Sequence, residues 1–297
     1  MFTPGKIFAV CVTTALLAAA PVMAQELTGT LKKVKDSGTF TVGHRETSIP
    51  FSYLDDKQRS IGYSMDLCAA IVEEVKKELA LPNLTVKYIP VTSQTRIPLM
   101  SNGTIDIECG STTNNLTRQK QVSFSPIIFV TGTKLVVKKS SKIKSYKDLK
   151  NKTVVVTQGT TNDRTIKALS DKDQLNIKFL NAKDHAESFL MVESGRAQAF
   201  AMDDVLLYGL VGKAKKPKDF DVVGDYLSYD PYGIMYRKND EDFGQVIRRT
   251  LARMMRSGEI DKLYEKWFVQ KLPSGEAIGM PMSPLLKSAY KLQALDE

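Results

Sequence analysis

From residue 39 onward, short runs of β-branched and aromatic residues alternate with longer stretches whose apolar residues recur every three or four positions. The short runs predict strands and the longer stretches amphipathic helices. Their alternation predicts an α/β fold built on parallel or mixed sheets with crossover helices. Thr39-Phe40-Thr41-Val42 reads as the first strand, and Leu67, Ile71, Val75 and Leu79, spaced by four, mark the buried face of the first helix. Val86 to Val91 reads as the next strand, and Thr95 to Asn102 as a short helix with Pro98 near its first turn. Ile105 to Cys109 reads as an alternating strand. A second series follows: strand Thr153 to Val156, helix Thr161 to Leu169, strand Ile177 to Leu180, helix Asp184 to Val192 and strand Ala199 to Met202.

Between the two series, Ile127 to Val137 forms one long apolar stretch, expected to leave the first lobe, bend near Gly132 and enter the second. A return is expected near Asp225 to Tyr232, followed by a strand at Gly233 to Tyr236. Phe243 to Phe268 should then hold one or two helices, broken around Ser257-Gly258. Such a return makes the second lobe an insertion, joined to the first by two crossing strands. The expected boundaries are 25–131 with 229–270 for lobe 1 and 132–228 for lobe 2. The tail 271–297, with Pro273, Pro281 and Pro284, reads as a loosely packed extension ending in a short helix.

The first residues stand apart from this pattern. Lys6, the apolar run Ile7 to Ala20, and Val22-Met23-Ala24 have the form of a signal peptide cut after Ala24. No later stretch approaches the roughly 18 consecutive apolar residues of a membrane helix, so the remainder is expected to be exported and soluble. About 270 residues remain, more than one core usually serves, which again predicts two lobes. The 42 Lys and Arg include Lys6, so the remainder carries 41 against 33 Asp and Glu, a net charge of +8. That surplus suits acidic ligands, and it equally suits a generally basic secreted surface. With Cys11 in the leader, Cys68 and Cys109 remain. They could form one disulfide, but their places on the apolar side of a helix and at a strand end favour small buried thiols.

Two loops carry candidate chemistry, Gly110-Ser111-Thr112-Thr113 and Gln158-Gly159-Thr160-Thr161. Each follows a strand, where open α/β sheets bind ligands, and free backbone N–H groups there suit a carboxylate. Ordinary loop and N-cap chemistry accounts for either loop taken singly. Neither contains the lysine-bearing cradle of nucleotide hydrolases, and no HExxH, GxSxG or metal-ligand spacing occurs. No cofactor or metal is expected, and no nucleic acid. His44 and His185 are isolated in the sequence.

The chain resembles the type II periplasmic solute-binding proteins of polar amino-acid ABC importers, most closely the glutamate/aspartate-binding branch. The carriers are Val42-Gly43-His44-Arg45-Glu46, Pro50-Phe51-Ser52-Tyr53, Gly62-Tyr63-Ser64-Met65-Asp66-Leu67, Thr92 to Leu99, Glu108 to Asn115, Ala182-Lys183-Asp184-His185 and Met202-Asp203-Asp204. The family signature prefers an acidic residue where this chain has Ser64. The resemblance implies a two-lobed clamp, each lobe a mixed sheet flanked by helices, that closes on L-glutamate or L-aspartate and delivers it to an inner-membrane permease with its ATPase. It implies a periplasmic, monomeric protein that is not an enzyme.

Residue by residue, the resemblance makes Arg96 the clamp for the ligand α-carboxylate, helped by Ser111, Thr113 and Thr161. Asp203 would accept from the α-ammonium, and Arg45, Ser93 and His185 would hold the side-chain carboxylate. A planar two-pronged guanidinium matches a carboxylate. With glutamine in place of glutamate, a buried Arg45 would lack its partner, at a cost of several kcal/mol. The alternatives are another polar ligand, glutamine or a basic amino acid, or a same-fold dehydratase of the cyclohexadienyl type using Glu46 or Glu108. A signalling role through a receptor is compatible with transport.

Overall fold

A computed structural model describes residues 1, 2, 5 and 26–295, so the signal-peptide reading lies largely outside the described residues. The chain opens with α1 (Gly29–Ser37), β1 (Thr39–His44) and a small hairpin sheet of β2 (Thr47–Ser48), β3 (Ser52–Leu54) and β4 (Ser60–Ile61). Next come α2 (Tyr63–Glu78), β5 (Thr85–Pro90), α3 (Arg96–Ser101), β6 (Ile107–Cys109), α4 (Leu116–Gln119) and β7 (Val122–Phe124). β8 (Phe129–Thr131) leads into β9 (Thr133–Lys138), β10 (Thr153–Thr157), α5 (Thr161–Lys172), β11 (Lys178–Ala182), α6 (His185–Glu193), β12 (Ala199–Asp203), α7 (Asp204–Gly212) and β13 (Phe220–Val223). The chain ends through β14 (Asp230–Tyr232), β15 (Met235–Arg237), α8 (Glu241–Arg256), α9 (Glu259–Tyr264), a π-helical turn at Glu265–Val269, and α10 (Pro284–Gln293).

Two five-stranded mixed sheets result, in the orders β5-β1-β6-β15-β7 and β11-β10-β12-β9-β13. Within each, three strands run parallel and the fourth is antiparallel to both its neighbours. The parallel centres are sequence-driven: β1, β10 and β12 are almost wholly buried, as expected of strands covered on both faces. The edge strand β5 is largely exposed. Leu67, Ile71, Val75 and Leu79 all lie in the core, on the predicted face of α2.

Between the sheets, β8 and β14 pair antiparallel as a two-stranded ribbon, Phe129 opposite Tyr232. The chain leaves the first sheet along β8 and returns along β14. Phe129 and Tyr232 are both buried among Phe51, Tyr264 and Phe268, with Phe51 ring centroids 5.0 Å from Phe129 and 5.1 Å from Tyr232. Burying each such ring contributes about 1.5–3 kcal/mol, so the ribbon is rooted in the first unit's core.

Two sequence expectations need correction. The C-terminal extension is not loose: the Tyr290 hydroxyl lies 2.7 Å from that of Tyr63 and donates to the Ile128 carbonyl at 2.6 Å. The Gln293 amide accepts from Ile127 N–H (2.6 Å) and donates to the Ile127 carbonyl (2.9 Å), completing the backbone pairing just before β8. Pro284 and the Ser283 N-cap set the start of this helix, and Leu286 and Tyr290 give it a buried face.

Cys68 and Cys109 are not separate thiols. They form a disulfide with Cα atoms 6.2 Å apart, because α2 packs over the end of β6 and brings the two small buried positions face to face. The sequence separation is 41, a loop whose closure restricts the unfolded chain by about 4 kcal/mol in the entropic account. Replacing both cysteines with alanine is therefore expected to lower the unfolding free energy by about 3–4 kcal/mol, read from denaturant curves of the two proteins. Superimposable curves would show that the bond adds no stability.

Candidate functional site

The carboxyl ends of the parallel strands in both sheets point at one place. From the first sheet, β1 delivers Arg45, the β5–α3 loop delivers Ser93, α3 begins with Arg96, and the loop after β6 carries Ser111 to Thr113. From the second, β10 is followed by Gly159 to Thr161, β11 by the N-terminus of α6 with His185, and β12 ends on Asp203. Of the eight residues proposed from the sequence, seven are buried (Arg45, Ser93, Arg96, Ser111, Thr113, His185 and Asp203), and Thr161 is half-buried.

Arg45 and Arg96 are respectively 1% and 2% exposed, a rarity that demands a compensating partner. Arg96 Nη1 donates to Thr112 Oγ1 (2.5 Å) and to the Ser111 carbonyl (3.3 Å). Thr112 in turn donates to Glu108 Oε2 at 2.7 Å, while Glu108 Oε1 stands 4.0 Å from Arg96. Gly110 makes this stacking possible, since a methyl group there would lie 2.2 Å from Glu108 Oε1 and 2.9 Å from Arg45 Cγ. Burial first, and then each other's charge, pulls the Arg45 pKa down to about 10. Burial likewise lowers that of Arg96. An anion among these groups relieves both effects.

Several polar atoms here have no protein partner. Arg45 Nη1, Ser93 Oγ, Arg96 Nε and Ser111 Oγ are buried and unpaired, as are Glu108 Oε1 and Asn162 Oδ1. These six are half of the twelve such atoms among the described residues. Native proteins rarely leave buried groups unsatisfied, at about 1–3 kcal/mol apiece. Their concentration at one point is the mark of a polar ligand site.

The second unit presents a different chemistry. His185 Nε2 lies 3.4 Å from Arg45 Nη2 and its Nδ1 lies 3.0 Å from Thr157 Oγ1. Burial and the two arginines push its pKa well below the ordinary value, so the ring is neutral. A guanidinium can only donate, so Nε2 accepts from Arg45 and Nδ1 carries the proton toward Thr157. Both ring nitrogens are thus engaged within the protein. Asp203 Oδ1 accepts from Asn162 Nδ2 at 2.8 Å and its Oδ2 from the Tyr232 hydroxyl. Burial, with repulsion from Asp230, raises the Asp203 pKa to about 7 despite these two donors. Thr113 Oγ1 donates to Asp230 Oδ1 (3.0 Å) and lies 3.3 Å from Thr161 Oγ1 across the two units.

Comparison with known proteins places this arrangement. The sequence profile of the bacterial extracellular solute-binding proteins, family 3, matches residues 40–270. The chain belongs to this family. Among its relatives, the L-glutamate/L-aspartate-binding protein of Pseudomonas aeruginosa is 55% identical over 280 residues, 93% of each chain. The glutamate/aspartate import solute-binding protein of Salmonella typhimurium is 49% identical over 263 residues, 88% of this chain and 87% of the relative. Among solved structures, an ancestral arginine-binding protein bound to glutamine superposes with a TM-score of 0.71 at 32% identity. It covers 78% of this chain and 99% of its own.

In this family-3 protein, five residues matter that sequence reading did not assign to the site. Tyr232 and Asn162 hold Asp203, Glu108 and Thr112 brace Arg96 from beneath, and Arg118 ties the loops from behind. Glu108 drew notice only as a possible acid or base, and Tyr232 only as part of a returning strand. Tyr232 and Asn162 meet Asp203 from 29 and 41 positions away, and only the fold discloses those contacts. Among the described residues, no cluster of three or more His, Cys, Asp or Glu is arranged to hold a metal ion. The Asp203 geometry yields a test. Tyr232→Phe removes a donor to the ionised carboxylate and should raise the Asp203 pKa further above its ordinary range, followed by carbon-13 NMR of the carboxyl against pH. An unmoved or lowered titration would mean that the hydroxyl does not stabilise the charged form.

Proposed function

We propose that this family-3 solute-binding protein is the periplasmic, monomeric ligand carrier of an ABC amino-acid importer, that it binds L-glutamate and L-aspartate between its two units, and that the closed form hands the ligand to a membrane permease. The units act as lobes, 25–131 with 229–270 and 132–228, moving about the β8–β14 ribbon. Residues 1–24 serve as a cleaved export signal. The observation that carries the ligand assignment is the pair of buried arginines whose unpaired N–H groups face the same polar site.

Arg96, with Ser111, Thr113 and Thr161, takes the ligand α-carboxylate. Asp203, held by Asn162 and Tyr232, accepts from the α-ammonium. Arg45 and Ser93 take the side-chain carboxylate. His185 holds Arg45 in place through its Nε2, so its contribution is to aim the guanidinium. Each charge-assisted bond nets about 1.5–3 kcal/mol, so several suffice for micromolar binding, which requires about 8 kcal/mol.

The same geometry weighs against the dehydratase alternative. Glu46 is exposed on the hairpin side of the molecule, and Glu108 accepts from Thr112 beneath Arg96. Neither is placed as a free acid or base above a substrate ring. The two relatives described above are binding proteins by name.

Two outcomes test this reading. Arg45→Ala should weaken glutamate and aspartate binding by about 10- to 100-fold, the loss of one or two charge-assisted bonds, while glutamine affinity changes little. Parallel calorimetric titrations measure this, and equal losses for glutamate and glutamine would remove Arg45 from the specificity site. The second outcome concerns protons. With its pKa raised to about 7, Asp203 is increasingly protonated as pH falls below 7, yet only the ionised form can receive an ammonium. Binding at pH 6 should therefore release up to about one proton and weaken with acidification, while binding at pH 8.5 should release close to none. Titrations in buffers of different ionisation heat report the number, and the same count at both pH values would contradict the role given to Asp203.

A further inference from the structure

Ser64 is the second residue of α2 and is fully buried. Its hydroxyl donates to the Gly110 carbonyl at 2.7 Å. One turn further along the same face, Cys68 is bonded to Cys109. The first two turns of α2 therefore grip the end of β6 at two successive residues, Cys109 and Gly110. That short segment is packed against the charges of the site. A methyl group on Gly110 would lie 2.2 Å from Glu108 Oε1 and 2.9 Å from Arg45 Cγ, and the next carbonyl, that of Ser111, accepts from Arg96 at 3.3 Å.

A serine is unexpected here on two counts. The first turn of a helix favours an acid, which the macrodipole stabilises, and the family signature prefers an acid at this very position. The acid that α2 does carry in its first turn, Asp66, is engaged elsewhere, accepting from Lys266 and from Trp267 Nε1 at 2.7 Å each. Beside the site, Arg45 and Arg96 are both buried, and among the described residues the only carboxylate within 4.0 Å of either is Glu108, at Arg96. A carboxylate in place of the Ser64 hydroxyl would stand against the same Gly110 peptide and supply a second negative charge. Serine instead holds the loop with a neutral donor.

We propose that Ser64 is a specificity-determining residue that acts from beneath the ligand site: by being uncharged it leaves Arg45 and Arg96 short of one negative charge, the charge that an acidic ligand side chain brings. The proposal rests on the reading that these arginines meet the carboxylates of the ligand. Contact with the ligand is not needed, because a unit charge acts over several Å in the interior of a protein. The hydrogen bond to Gly110 is the second half of the role, since a carboxylate has no proton to donate to that carbonyl.

The test compares wild type with Ser64→Asp, with its neutral isostere Ser64→Asn, and with Ser64→Ala, by calorimetric titration with glutamate and glutamine and by thermal melts without ligand. Ser64→Ala removes one neutral hydrogen bond and should weaken both ligands alike, by about 3- to 10-fold. Ser64→Asn should keep the glutamate-to-glutamine preference of wild type within about 3-fold. Ser64→Asp should lower that preference by about 10-fold or more relative to Ser64→Asn, the scale of one added charge several Å from a guanidinium. Its melting temperature should equal or exceed that of Ser64→Asn, because a first-turn acid suits the helix. Equal preferences in Ser64→Asp and Ser64→Asn overturn the proposal. Failure of either of these variants to fold overturns it too, since room and not charge would then dictate serine. Wild type that binds neither acidic amino acid fails the functional reading, and the proposal with it. The two failures are distinct, because a failure confined to Ser64 leaves glutamate binding by wild type intact.

Discussion

Three guanidinium groups, those of Arg45, Arg96 and Arg118, are buried at the junction of two α/β units, and much of the architecture exists to make that tolerable. A buried cation without a partner costs several kcal/mol. Glu108 and Thr112 brace Arg96 from beneath, His185 receives Arg45 from across the cleft, and two carbonyls receive Arg118. These partners leave Arg45 Nη1 and Arg96 Nε unmet, and in the proposed reading an acidic amino acid brings them its two carboxylates. On that proposal the incompleteness is the source of selectivity: an acidic side chain completes the set, and an amide leaves Arg45 short of a counter-charge.

On the opposite side stands a carboxylate with its own unfavourable burial. Asp203 is held by Asn162 and Tyr232 and repelled by Asp230, so it too is poised to gain from a ligand, here through an ammonium. Tyr232 sits on β14, in the ribbon that joins the two units, and its ring packs among the aromatic residues that root that ribbon. The link between the units and the proposed ammonium subsite at Asp203 therefore share one side chain. The C-terminal helix braces the same ribbon from outside, through Tyr290 and Gln293 to residues 127 and 128.

Much of the fold was legible from periodicity. The strands after residues 39, 153 and 199, the buried face of α2 and the break near Gly258 follow from local pattern, because burial on one or both faces dictates composition. The hairpin sheet at residues 47–61, β13 and the docking of α10 were not legible, since short edge elements and tails depend on distant partners. The same distinction governs the site. Arg45, Arg96 and Asp203 were proposed through a family resemblance, and nothing in their local sequence separates them from surface arginines or an N-cap. Glu108, Asn162, Tyr232 and Arg118 matter through contacts formed 4 to 41 positions away, such as Thr112 to Glu108, Asn162 to Asp203 and Arg118 to Gly159, and helix N-caps such as Thr160 and Asp184 were the only local signals nearby. The wrongly weighed cysteines teach the same point, since packing of α2 on β6 pairs them while their local sequence favours buried thiols.

The measurement that bears most directly on this account is a calorimetric titration of the protein lacking residues 1–24, unfolded and refolded to strip carried-over ligand, with glutamate, aspartate, glutamine and arginine in parallel. The account predicts tight binding confined to glutamate and aspartate. Binding of glutamine or arginine as strong as that of the acidic pair, or none of the four by a demonstrably folded protein, would contradict it.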